Sequence, residues 1–167
     1  MLGRREVPPA AVGRVIRVAQ RRDLDQVVAL WIEMMEFHGE FDERFSLKPG
    51  YRRETERHLV ESMKSRGSRV FVAEEDGKII GYVLGGVYQR RPVYPPGTYG
   101  FISDMSVSSC QRRSGVGRAL AQSMLDWFKK EGVTSVELLT LNANPISNAF
   151  WESMGFGSYL RLLRKDF

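Results

Sequence analysis

Apolar positions along the chain follow two rhythms, and the changes between them mark the predicted elements. Arg14 to Ala19 sets Val15, Ile16 and Val18 among arginines, a short strand. Asp23 opens a helix three residues before Gln26, the spacing of a reciprocal capping box with Asp in the Ser/Thr place. Leu24, Val27, Val28, Trp31 and Met35 then recur at helical spacing; His38 continues their stripe, and Gly39 is expected to end the helix. FDERFSLKPG reads as a loop, and a second helix runs from Tyr51 to Lys64 with Thr55, Leu59 and Met63 on one face. The period then drops to two. RVFVAEE and KIIGYVLGGVY flank Asp76-Gly77, a two-residue hairpin signal, and the turn RPVYPPGTYG leads into the strand GFISDMSV. A glycine- and arginine-rich loop follows, then a helix to about Lys130 with Val116, Leu120, Met124 and Trp127 on one apolar face. VTSVELLTL predicts a strand, NPISNAFWESMGF a short helix ended by Gly155, and FGSYLRLLRKDF a last strand. The order β-α-α-β-β-β-α-β-α-β predicts a mixed sheet carrying helices. Residues 14–167 read as one domain preceded by a tail, Met1 to Gly13.

Composition narrows the class. An apolar fraction of 43% and a charged fraction of 27% suit a soluble globular protein. The net charge of +5 comes largely from scattered arginines, which favours anionic ligands but is a weak nucleic-acid signature. Cys110 is the one cysteine, so neither an intramolecular disulfide nor a thiolate metal cluster can form, and no metal is expected. No activating histidine neighbours it in sequence, which argues against a nucleophilic role. No apolar run approaches 18 residues and the opening lacks a secretion signal's apolar core. The expectation is a cytoplasmic protein with no membrane partner.

The stretch QRRSGVGRAL, Gln111 to Leu120, carries the clearest chemistry. A Walker A loop would end in Gly-Lys-Ser/Thr, whereas Arg118 and Ala119 follow Gly117; a dinucleotide fingerprint would need glycine where Leu120 stands. What remains is strand, turn and helix start. The first amides of a helix lack intrahelical partners and the helix dipole adds positive charge there. Gly115 and Gly117 remove side chains from the approach, and Arg112, Arg113 and Arg118 add charge. A diphosphate-like group fits; a solvated arginine turn is the structural alternative.

Arg112-Arg113-Ser114-Gly115-Val116-Gly117, followed by Arg118, resembles the acetyl-CoA pyrophosphate loop of the GNAT superfamily of N-acetyltransferases. VAEEDGKIIGYV resembles that family's second and third strands, ISDMSV its fourth, and NPISNAFWESMGF its late helix. The resemblance implies an α/β fold with a central mixed sheet of six to seven strands flanked by about four helices. It implies acetyl-CoA as co-substrate and an amine acceptor, small molecule or protein. Met105 and Val107 match positions whose backbone pairs with the pantetheine arm, and Asn144 the asparagine that helps hold that arm. As a residue before Pro145, Asn144 is equally good helix-capping chemistry. Trp151 stands where many members carry a tyrosine that protonates the departing thiolate. An indole cannot act as that acid, so its expected part is to shape the thioester pocket or to pack in the core.

Direct attack by an amine requires that its proton go somewhere. Asp104, an aspartate inside a strand expected to be central, is the candidate base or amine-binding group, with a structural salt bridge as the alternative and Glu137 as second choice. Glu36, His38, Glu40, Asp42 and Glu43 lie where the family builds part of its acceptor pocket; acidic residues there would suit a cationic amine. His58, Tyr94 and Tyr99 are further candidates for its wall or mouth. Two other functions stay open, a CoA-binding sensor without catalysis and a basic RNA-binding domain, though no RNP-like motif is present. Dimers are common among proteins resembling this one, so a homodimer is a possible assembly.

Overall fold

The computed structural model describes residues 13–167. Five strands form one sheet in the order β1-β2-β3-β4-β5. These are Val15–Val18, Ser68–Glu75, Lys78–Gln89, Thr98–Val107 and Val136–Leu138. The first four are antiparallel in sequence, and β5 joins β4 in parallel. Helices α1 (Leu24–Phe41) and α2 (Tyr51–Lys64) cover one face. Helix α3 (Val116–Lys130) covers the other, with α4 (Pro145–Ser153) beside it.

Each face has its own core. Leu24, Val27 and Val28 of α1 and Leu59 of α2 pack on Val70, Val72, Tyr82 and Leu84. Val116, Leu120, Met124 and Trp127 of α3 pack on Val83 and Ile102, so the predicted apolar face of this helix is fully used. Buried on both sides, β3 reads as a continuous apolar run. Its glycines let α3 come close. A Cβ at Gly85 would lie 3.0 Å from Met124 Sδ, from the Phe101 carbonyl oxygen and from the Phe128 ring.

Strand β4 contains an extra residue. Asp104 pairs with Leu84 and Ile102 with Gly85, which leaves Ser103 unopposed as a β-bulge. Strict alternation would put Ile102 and Asp104 on one face. Instead Ile102 packs under α3, while Asp104 lies across from Leu84, a core residue of the α1/α2 face. The bulge also turns the backbone. Gly100 N–H donates to Ser135 O at 2.9 Å, on the β5 side. Beyond the bulge Ser108 N–H donates to Ile80 O at 2.9 Å, on the β3 side. By two-residue alternation, the backbone groups of Met105 and Val107 face the side where β5 would be. But β5 pairs only with Gly100 to Ile102, so among the described residues that edge of β4 is unpaired from Ser103 onward.

Several expectations are corrected. The sheet has five strands rather than six or seven, and FGSYLRLLRKDF forms no strand. Leu160, Leu162 and Leu163 are exposed, so the segment has the strand pattern but no face to bury it against. Helix α1 runs past Gly39 to Phe41, and α1 has no Asp23–Gln26 capping box. Asp23 is spent on Arg17, whose Nη1 and Nη2 donate at 2.6 and 2.8 Å, and Gln26 Oε1 accepts from Ile79 N–H at 2.9 Å. The expected N-terminal tail lies outside the described residues apart from Gly13.

Gly85→Ala is expected to destabilise the protein by about 1–3 kcal/mol, the cost of overpacking a filled core. Urea unfolding monitored by tryptophan fluorescence measures it; an unchanged midpoint would mean that α3 is not pressed against β3.

Candidate active site

The basic loop is held from behind by a polar lattice. Arg14 Nη1 donates to the Ser114 carbonyl at 2.8 Å, and Arg14 Nη2 meets Glu75 Oε1 at 2.9 Å. The other Glu75 oxygen accepts from Gln111 Nε2 at 3.0 Å, and Ser114 Oγ donates to the Gln111 carbonyl at 2.6 Å. Arg14 and Glu75 were not legible as site residues, because Arg14, just before β1, and Glu75, at the end of β2, lie far from the loop in sequence. Gly115 is the N-cap of α3 in the left-handed region (φ 83°) and supplies no capping side chain. The first helical hydrogen bond runs from Ala119 N–H to Gly115 O, so the amides of Val116, Gly117 and Arg118 head the helix without intrahelical acceptors. Nothing lies within 4 Å of where a Cβ of Gly115 would be. Exposed amides, a helix dipole and bare backbone therefore coincide, which fits a diphosphate.

The arginines differ. Arg112 lies 4.0 Å from Glu33 and 5.1 Å from the centre of the Phe37 ring. Arg118 Nη2 donates to Ser153 Oγ at 3.1 Å, tying α3 to α4. Arg113 takes positive φ (63°), a left-handed conformation uncommon for a side-chain-bearing residue, and has no ion-pair partner among the described residues.

Asn144 is buried and caps α4, its Oδ1 accepting from Ser147 N–H at 3.0 Å. Trp151 is buried between Phe150 and Phe156, edge to face with both, in the α3-side core.

Asp104 has no hydrogen-bond or ion-pair partner among the described residues. It keeps a partial opening to solvent. Desolvation pushes its carboxyl above the usual range, while the charge of His58 pulls the other way. Tyr82 lies in the same core layer, its hydroxyl fully buried without a partner; burial, and then the Asp104 charge, raise it well above a normal phenol. Trp31, Met35, Phe45, Tyr51 and His58 line a groove of about 410 Å³ between α1 and α2. His58 is exposed at its edge. Glu36, Glu40, Asp42 and Glu43 do not line this groove, whereas Glu54 does, and Asp42 is paired with Arg44. His38 packs edge-on against Phe45, with burial lowering its pKa. Tyr99 stacks near Tyr88, Tyr94 is exposed in its turn, and neither reaches the groove. Glu137 is half-buried on β5, in register with Phe101.

An edge of β4 that is unpaired among the described residues thus runs into the bare, amide-rich start of α3. The chain belongs to the acetyltransferase (GNAT) family, whose sequence profile matches residues 15–156. It is 36% identical over 83 residues to the L-2,4-diaminobutyric acid acetyltransferase of Nocardia farcinica, a match covering 50% of this chain and 40% of that protein. It is 34% identical over 95 residues to N-acetyltransferase 8 of Rattus norvegicus, covering 56% and 41%. These matches span about two fifths of each curated relative. Among solved structures, a tetramutant of the BH1408 protein from Bacillus halodurans superposes with TM-score 0.80 at 21% identity, covering 92% of this chain and 99% of that one. The aminoglycoside N-acetyltransferase AAC(6')-Iy in complex with CoA gives TM-score 0.75 at 19% identity, covering 96% and 99%. No described helix is long and apolar enough to cross a membrane.

Because folding raises the Asp104 pKa, its ionised form is disfavoured in the native state. Its contribution to stability is favourable while the carboxyl is protonated and is lost as pH rises from the unfolded value through the raised one. Asp104→Asn is therefore expected to melt above the parent protein at pH 7.5, with the gap closing near pH 3.5. Thermal melts at the two pH values check this; a lower midpoint at pH 7.5 would show a stabilising ion pair instead.

Proposed function

We propose that residues 14–167 form one acetyltransferase domain that transfers the acetyl group of acetyl-CoA to a primary amine, with Asp104 receiving the amine. The observation that carries this reading is the bulge at Ser103: it sets Asp104 opposite Leu84, on the α1/α2 face of the sheet, and turns backbone groups toward an edge of β4 that is unpaired among the described residues. The two curated relatives are named as acetyltransferases, one of a diamino acid, which supports an amine acceptor.

Acetyl-CoA supplies a thioester carbonyl that the amine nitrogen attacks directly, the C–S bond breaking as CoA leaves. Met105 and Val107 offer backbone donors and acceptors to the pantetheine amides, as to an added strand. The amides of Val116, Gly117 and Arg118 hold the pyrophosphate, with charge from Arg112, Arg113 and Arg118, while Ser114 and Gly115 keep the loop narrow and bare. Asn144 uses its oxygen on the α4 cap, leaving its amide N–H groups for the pantetheine arm. Trp151 serves as a wall behind the thioester pocket.

A lysine-like amine with pKa about 10.4 costs about 4–5 kcal/mol to deprotonate at pH 7. The Asp104 carboxylate attracts the ammonium and accepts one proton before attack, which frees the nitrogen lone pair; the second proton, made acidic as the C–N bond forms, passes to solvent water. Solvent water protonates the thiolate, whose pKa of about 8.5 makes it a tolerable leaving group. Trp151 in place of a tyrosine favours one competing reading, a CoA-binding sensor without catalysis; turnover separates the two.

Acetyl-CoA or CoA at a hundred times its dissociation constant adds about 2.7 kcal/mol. That is expected to raise the melting midpoint by roughly 5–10 °C, whereas ATP and NADP leave it unchanged. A shift with ATP or NADP alone defeats the cofactor assignment. Asp104→Asn is expected to lower kcat/KM for amines by about 10²–10⁴ while keeping the acetyl-CoA shift. Undiminished turnover would remove Asp104 from the reaction.

A further inference from the structure

A short 3-10 turn, Ser109–Gln111, joins β4 to the basic loop, and its first amide is capped from another element. Ser108, the residue before the turn, supplies no side-chain cap; its Oγ lies 3.2 Å from Cys110 Sγ. The Ser109 N–H, which finds no acceptor within so short a turn, donates instead to Glu33 Oε1 of α1 at 2.8 Å. The two residues are 76 positions apart, so only the packing of α1 against the sheet brings them together.

One turn further along α1, the Arg112 guanidinium lies 5.1 Å from the centre of the Phe37 ring. Arg112 Nη2 is 4.0 Å from the same Glu33 oxygen, beyond hydrogen-bond reach. Glu33 therefore has a firm bond to loop backbone and only a loose pairing with a loop cation. The other end of the turn is fixed separately, Gln111 Nε2 donating to Glu75 Oε2 of β2 at 3.0 Å. Two carboxylates, one from each of two distant elements, thus hold the turn from which the loop departs.

A negative charge beside a loop suited to an anion is electrostatically adverse. The side chains of Glu33 and Arg112 are 35% and 39% exposed, so solvent weakens that repulsion without removing it. The Glu33 charge opposes a bound diphosphate, whereas its hydrogen bond fixes the backbone that leads to the amides of Val116, Gly117 and Arg118. The two effects have opposite sign, and an isosteric amide separates them.

We propose that Glu33 is a positioning residue for the cofactor: its carboxylate oxygen fixes the Ser109–Gln111 turn, so that the loop beyond it meets the diphosphate of acetyl-CoA already ordered. This role rests on the acetyltransferase reading. Without the bond the turn is freer, and ordering it on binding lowers affinity. Arg112, loosely held, stays available to the anion.

Isothermal titration of the full chain with CoA and with pantetheine, which lacks the diphosphate, tests this in Glu33→Gln and Glu33→Ala. Glutamine keeps an acceptor oxygen and drops the charge; alanine drops both. Glu33→Ala is expected to raise the Kd of CoA about 3–10-fold, the scale of one net hydrogen bond, and to leave that of pantetheine unchanged. Glu33→Gln is expected to bind CoA as tightly as the parent or more tightly. An unchanged CoA Kd in Glu33→Ala, an equal loss in both variants, or the same loss for pantetheine would each overturn the positioning role alone. No binding of CoA by the parent protein would overturn it together with the cofactor assignment.

Discussion

Ser103 has no partner on β3, and much of the site follows from that one extra residue. A regular β4 would carry Asp104 on the same side as Ile102, under α3, where Val116, Leu120 and Met124 fill the space. A carboxylate there would meet a packed apolar core. The same regular strand would turn the backbone groups of Met105 and Val107 toward β3, where they would be consumed in the ladder. The bulge reverses both at once, and the short β5 leaves the newly turned backbone without a protein partner. Side-chain direction and backbone direction are thus one decision rather than two.

That arrangement costs stability, and the cost is local. Asp104 sits partly desolvated without an ion pair among the described residues, and below it the Tyr82 hydroxyl is buried without a partner. Elsewhere the molecule satisfies its charges closely. Arg17, for example, joins Asp23 and Glu74 at 2.6 Å each, and Asp23 is buried with its carboxyl held below the usual range by that guanidinium. One carboxylate is locked and another is left wanting a cation.

How much of this the sequence shows depends on the range of the interaction responsible. The α3 face, the Asp76-Gly77 turn with both residues at positive φ, and the glycine loop ahead of α3 are set by residues within a few positions of one another, and all were legible. The bulge was not, because ISDMSV alternates acceptably in either register and only pairing with β3 reveals the extra residue. Asp23 looked like a helix cap because its competitor, Arg17, is drawn close by tertiary packing of β1 rather than by helical spacing. The C-terminal segment alternates like a strand, yet alternation builds a strand only where a sheet edge and a core face are both available.

The α1 stripe shows why the groove was missed. Leu24, Val27, Val28, Trp31 and Met35 form one continuous apolar line, and helical spacing gives no hint that it serves two purposes. In the fold, its first three members are buried on the sheet, whereas Trp31 and Met35 lie half-buried beyond the core and line the groove. Phe45 and Leu47 of the 42–48 segment complete the lining of that groove. An apolar stripe longer than its core is therefore itself a signal: the surplus turns must face something other than protein. Here that surplus, Trp31 and Met35, lines the groove between α1 and α2.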